Sequence, residues 1–215
     1  FPIVHTLEQR KYIMCDAGSG KYRLGLRTYI IGASCTSQSG FEPLINIMNS
    51  VTESTQETSQ FGILEGGNVL YVAKKDSPQA IRMISWVGTK LPANATAIGK
   101  ALLSDLTDEQ IRDLYRDGLP KLTEHTISDI DLLLGQIEQI RCGEIATETE
   151  ESTPQMRCFA VPIRQNGRVD AALSISVPIF RYTDEKRVQI CQCLREAQQQ
   201  IEQLVGLYNF ELIKP

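Results

Sequence analysis

Residues 158–177 read CFAVPIRQNGRVDAALSISV. Two strand-like runs flank Asn166-Gly167, the strongest short signal for a β-hairpin. Successive side chains on a strand point to opposite faces. On the first arm Phe159, Val161 and Ile163 share one face, and Cys158, Ala160 and Pro162 the other. On the second arm Val169, Ala171, Leu173, Ile175 and Val177 lie opposite Asp170, Ala172, Ser174 and Ser176. Each arm thus has a bulky aliphatic face, which belongs in a core, and a face of small or polar groups. The small face is either solvated or the floor of a cavity. Ala, Cys, Pro and Ser leave room, and offer short hydroxyl and thiol groups to whatever fills it.

The turn decides which residues meet. A two-residue turn at Asn166-Gly167 sets Phe159 opposite Ser174 and parts Cys158 from both serines. A three-residue loop with Gly167 as a left-handed bulge pairs Cys158 with Ser176 and Ala160 with Ser174. Only the second gathers the bulky residues on one face. Register follows the buried pattern, so the bulged turn is expected.

Beyond the hairpin, Thr183 caps a long C-terminal helix with Asp184 and Glu185 in its first turn, where the helix dipole favours acids. Val188, Cys191, Leu194, Ile201, Leu204, Val205 and Tyr208 form its apolar side. Before the hairpin, residues 144–151 alternate Ile145, Thr147 and Thr149 with acids and read as an edge strand. Thr107-x-x-Gln110 and Ser128-x-x-Asp131 read as capping boxes opening two helices. Ile130, Leu133, Leu134, Ile137 and Ile140 give the second its core face. Thr96 is the cap of a helix over 97–103. Its first amides lack backbone partners and carry partial positive charge, so they can hold a carboxylate. Residues 58–85 read as a meander of three strands, over 60–64, 69–74 and 80–85. Ser39 to Val51 reads as a helix capped by Ser39, with Leu44, Ile47, Met48 and Val51 on one face. The order of elements lacks βαβ alternation, which predicts an α+β domain with an antiparallel sheet flanked by helices.

Composition agrees with a globular chain: 215 residues, 42% apolar and 22% charged,. No apolar run reaches the roughly 18 residues that span a bilayer, so no membrane partner is expected. Residues 1–10 lack the basic start and apolar core of a signal peptide, and without a start methionine the chain reads as a fragment. Six scattered cysteines with no Cys-x-x-Cys, and two histidines (His5 and His125), point to reduced thiols in the cytoplasm, with no metal or cofactor. Cys158 with His125 is the one nucleophile–base pair on offer. Nothing in the spacing joins the two or sets a cation beside the thiol, so catalysis is not expected.

The net charge of −4 is uneven: residues 1–30 carry +3 and the remainder −7. A basic end on an acidic body suits an acidic polymer. Residues 1–10 have helical spacing, Lys11–Met14 and Lys21–Leu24 read as strands, and Asp16–Gly20 as their turn. That pattern fits the second half of a winged helix-turn-helix; it also fits an unordered end with two glycines. Leu26–Cys35 reads as a connecting helix.

Several strings, in order and properly spaced over nearly the whole chain, resemble the IclR family of bacterial transcription regulators. They are Lys-Tyr-Arg-Leu-Gly (21–25), Ala-x-Gly-Lys-Ala-Leu-Leu (97–103), Thr-Ile-Ser-Asp (126–129), Glu-Glu (150–151), Arg-Cys-Phe-Ala-Val-Pro-Ile (157–163) and Ala-Leu-Ser-Ile-Ser-x-Pro (172–178). The set is specific, although no single string is. The resemblance implies the end of a winged helix-turn-helix over 1–25, a linker helix over 26–38 and a GAF/profilin-like effector-binding domain over 39–215. It implies operator DNA as partner, with Lys11, Lys21 and Arg23 facing it, and a homodimer or tetramer with Leu26, Tyr29, Ile30 and Ile31 at a subunit contact. It also implies a small organic acid effector held by Thr96, Ala97, Glu148, Cys158, Ser174 and Ser176. Taken without the resemblance, Glu148 fits a solvated edge charge equally well. Two positions depart from the family pattern: Glu144-Ile145, where members usually carry Gly before an aromatic, and Val177, commonly Gly.

Overall fold

A computed structural model describes residues 2–38 and 41–208, with backbone alone for 33–38 and 206–208. The chain divides into two compact units, Phe1–Pro43 and Leu44–Pro215.

In the first unit, helix α1 (Pro2–Gln9) leads into a two-stranded hairpin, β1 (Ile13–Cys15) and β2 (Tyr22–Leu24), and then helix α2 (Leu26–Gln38). The Asp16 carboxylate shapes the hairpin turn by accepting from the Gly18 and Ser19 amides and the Ser19 hydroxyl. Gly25 is demanded by a close approach: a Cβ there would lie 2.2 Å from the Lys11 carbonyl oxygen. Lys11, Lys21 and Arg23 are exposed.

The second unit is built on one antiparallel sheet. Among the described residues it has six strands in the order β5-β4-β3-β8-β7-β6: β3 (Thr58–Glu65), β4 (Asn68–Lys75), β5 (Lys90–Pro92), β6 (Ala146–Thr149), β7 (Met156–Gln165) and β8 (Arg168–Pro178). The expected α+β class is thus observed, and β6 is an edge strand as read. Helices α3 (Phe41–Thr55) and α7 (Asp184–Tyr208) lie on one face, α4 (Ala97–Leu103) on the other with α6 (Ile130–Arg141), and α5 (Asp108–Leu114) joins that cluster. Thr96, Thr107 and Thr183 cap their helices as expected, Thr107 with a full capping box.

The hairpin carries a correction. Cys158 does pair with Ser176 and Ala160 with Ser174, but the turn is not the bulge. Asn166 and Gly167 both have positive φ, 52° and 82°, the signature of a two-residue turn. Ile163 pairs with Ala171 while Arg164 pairs with Val169, so the extra residue is Asp170, inside β8. Val169 consequently leaves the bulky face and packs in the cluster around α4. The register is the one that buries Phe159, Val161, Leu173 and Ile175 together; the chain reaches it by bulging a strand instead of the loop.

Other expectations shift. Residues 80–85 form no strand: the third strand of the meander is β5, because the chain returns to β4 only at Gly88 and Thr89, which bond to Tyr71. Asp129, not Ser128, caps α6, accepting from the Asp131 and Leu132 amides. On α7 the buried apolar residues are Ile190, Leu194, Ala197, Ile201 and Val205, while Val188 is exposed. The side chain of Tyr208 and the whole of Ser39, read as a cap, lie outside the described residues.

Candidate functional site

The small-residue face of the sheet is neither solvated nor open along its length. α4 lies on Ala160 and Ala172, and small side chains are what let a helix approach so closely. Gly62 serves the same contact: a Cβ there would meet Val69 at 2.8 Å and Ile98 of α4 at 3.3 Å. Gly99 faces the short turn over Ala93–Ala95, where a Cβ would fall 2.2 Å from the Ala93 carbonyl oxygen. The Thr96 hydroxyl takes the Gly99 amide at 3.0 Å, and Ala97 is fully buried. By helix geometry the amides of Ala97 and Ile98 have no partner in the helix.

Past α4 the face turns polar. Cys158, Ser174 and Ser176 are all buried, as is Glu148, at 2% exposure. Glu148 sits directly opposite Cys158 in the β6–β7 ladder, so the solvated-edge reading of this acid is wrong; Thr147 and Thr149 face outward instead. Its oxygens accept from the Glu151 amide at 2.8 Å and the Ser152 hydroxyl at 3.1 Å. Cys158 Sγ lies 3.3 Å from Ser176 Oγ. Four of the six expected residues, Glu148, Cys158, Ser174 and Ser176, therefore share one buried sheet face, while Thr96 and Ala97 lie at the start of α4.

Three residues of this neighbourhood escaped the sequence. Gln60 faces Ser174 across β3 and β8. Its Oε1 accepts from Ser176 at 3.0 Å, and its Nε2 donates to Ser85 at 2.6 Å. Tyr71, opposite Gly62, brings a buried phenol near Cys158 and Glu148. Lys100, wholly buried on α4, pairs with Glu151 at 2.5 Å. Gln60 and Tyr71 carried no motif, while Lys100 and Glu151 lay in quoted strings whose buried pairing only the fold reveals.

The electrostatics are those of a dry polar cluster. Burial is the main cause that pushes the Glu148 carboxyl above the usual carboxylate range, opposed by its bonds from Cys158, Glu151 and Ser152. Burial, then the neighbouring Glu148, pushes the Cys158 thiol well up. Burial likewise raises the Tyr71 phenol. Such a thiol is the opposite of an activated nucleophile, and His125, exposed and beside Glu124 and Glu150, is no base for it. A groove of about 730 Å³ between β6, Phe159 and α7 holds none of the expected residues; it lies on the other sheet face. No described helix is long and apolar enough to cross a membrane.

This architecture has known counterparts. The family described as bacterial transcriptional regulator IclR, C-terminal, matches residues 41–203. The HTH-type transcriptional regulator KdgR of Dickeya chrysanthemi is 29% identical over 213 residues, covering 98% of this chain and 70% of the relative. The C-terminal domain of Escherichia coli KdgR superposes with a TM-score of 0.69 at 28% identity, over 77% of this chain and 98% of that one. An IclR homologue from Microbacterium hydrocarbonoxydans, complexed with 4-hydroxybenzoate, shares the fold with a TM-score of 0.78 at 22% identity, over 94% and 82% of the two chains. The chain belongs to the IclR family of bacterial transcription regulators. Like the relatives it matches, it is a regulator and not an enzyme.

Proposed function

We propose that the second unit is the effector-binding domain of a ligand-responsive regulator, and that it takes a small carboxylic acid on the polar end of the small-residue face. One observation carries this reading: Glu148, Cys158, Ser174 and Ser176 are buried together, with Gln60 among them. Burying polar groups costs free energy, and packing alone gives no reason to gather them at one end of a sheet. The carboxylate would sit on the amides at the start of α4, beside Thr96 and Ala97. Ser174, Ser176 and the Cys158 thiol would donate to its oxygens, and Glu148 would bond a hydroxyl or amine. The bound 4-hydroxybenzoate of the Microbacterium relative supports an acid of this kind.

The first unit supports the rest of the mechanism. Residues 1–25 form a helix and basic hairpin suited to the end of a winged helix-turn-helix, with Lys11, Lys21 and Arg23 on operator phosphates,. Residues 26–38 form the linker helix. Its exposed Leu26, Tyr29 and Ile31 suit a subunit contact in a homodimer or tetramer. An effector shifts operator binding only by as much as its affinities for the two subunit poses differ.

The test is a thermal-shift titration with 4-hydroxybenzoate and other small acids, on the chain and on Ser174→Ala/Ser176→Ala. An acid at a hundred times its dissociation constant stabilises the fold by about 2.7 kcal/mol. A shift lost in the double variant upholds the reading; no shift with any acid removes it.

A further inference from the structure

A cavity of about 540 Å³ opens beside the serine end of the sheet, its walls including Lys74, Asp76, Arg82, Met83, Ser85 and Trp86. Lys74 lies directly opposite Gln60 across β3 and β4, and Gln60 directly opposite Ser174 across β3 and β8. The three residues share one sheet face, with Lys74 and Ser174 two strand spacings apart, about 10 Å. Gln60 bonds to Ser176 on one side and to Ser85, in the cavity wall, on the other.

The Lys74 side chain is 10% exposed. Its ammonium donates to the Ser85 carbonyl at 2.8 Å and pairs with Asp76 at 2.7 Å. Asp76 is 53% exposed and also lies 3.6 Å from Arg82. A nearly buried cation is thus balanced by a half-solvated acid. Pairs with one partner in water are weak, so an incoming carboxylate can return Asp76 to solvent and keep the ammonium compensated. It also gains Met83 and Trp86 as apolar neighbours.

We propose that the effector is a dicarboxylic acid, with one carboxylate at the serine end and the second on Lys74. The inference rests on the reading of this sheet face as an acid site, and it makes Lys74 a specificity-determining residue. A monoacid of the same length leaves Asp76 on Lys74 and forgoes that contact.

Trp86 is the single tryptophan of the chain, so its emission reports on the cavity. The whole chain is titrated with adipate and with hexanoate, equal in length and differing by one carboxylate. Trp86 emission and melting temperature are followed together. Adipate is expected to change the emission saturably and to bind at least tenfold more tightly than hexanoate. Lys74→Met removes that preference, Lys74→Gln does so while keeping a donor for the Ser85 carbonyl, and Asp76→Asn strengthens adipate binding. Equal affinity for the two acids overturns the second carboxylate. So does adipate binding that depends on Ser174 and Ser176 but ignores Lys74; the acid-site reading survives both results. Failure of adipate while another small acid binds overturns the second carboxylate, and no shift with any acid removes both readings.

Discussion

The Lys100 ammonium lies 2.5 Å from a Glu151 carboxylate oxygen, with Lys100 shut off from solvent and Glu151 nearly so. Lys100 also reaches the Thr147 carbonyl, and Glu151 accepts from the Ile127 amide. This pair ties α4 to the turn that follows β6. Removing one partner leaves the other charge buried and unpaired, which costs about 3–5 kcal/mol. Lys100→Met and Glu151→Leu should each lower the unfolding free energy from urea titration by that amount, and the double variant should recover much of it. Additive losses in the double-mutant cycle would contradict the pairing.

Gly99→Ala should destabilise by about 3 kcal/mol, at the upper end of overpacking costs. The added methyl would meet backbone of the Ala93–Ala95 turn, which has no rotamer to yield. Gly143→Ala is a useful contrast. Its Cβ meets nothing within 4 Å, but its φ of +102° makes the cost conformational. Both are read by urea unfolding; only Gly99→Ala should also loosen α4, seen as faster amide exchange there.

Glu148 makes stability depend on pH in an unusual direction. Burial raises its affinity for a proton in the folded state above the ordinary value of 4.5. The folded chain then binds more protons than the unfolded one, so stability falls as pH rises. The contribution is full below pH 4.5 and is lost as pH climbs through the raised folded value. Glu148→Gln removes the dependence. Its melting temperature relative to the parent should rise between pH 4 and pH 7; a constant gap would show a carboxyl that titrates normally.

Thiol labelling separates a sensor cysteine from a nucleophile. Cys15 and Cys142 are exposed, whereas Cys158 is buried with its thiol held well up. At pH 8 a disulfide reagent should modify Cys15 and Cys142 quickly and Cys158 only after urea unfolding, as read by peptide mass. Fast native labelling of Cys158 would argue for an activated thiolate.

Much of the fold was legible because one face of each element is buried. The pairing of Cys158 with Ser176 followed from the aliphatic pattern alone, and the caps at Thr96, Thr107 and Thr183 from residue type. The device that sets the hairpin register was not legible, because Asp170 has no signal that marks it as the extra residue. The missing strand at 80–85 has a similar cause. Ile81 and Ile84 satisfy strand preference, but both are exposed, and the backbone meets β4 only from Gly88 onward. Of the site, the short polar residues could be read from the hairpin. Gln60, Tyr71 and Lys74 could not, since they come together only through the β3 and β4 registers.

Asp170 has a consequence for how this hairpin can vary in length. Every other residue of the two arms is counted by a partner, so adding or losing one there exchanges the serine face for the aliphatic face downstream. Asp170 has no counterpart on β7. Its deletion leaves Ile163 facing Ala171 and Cys158 facing Ser176, and merely straightens the ladder. The hairpin thus contains one place where a codon can be lost while the two faces of the sheet keep their meaning.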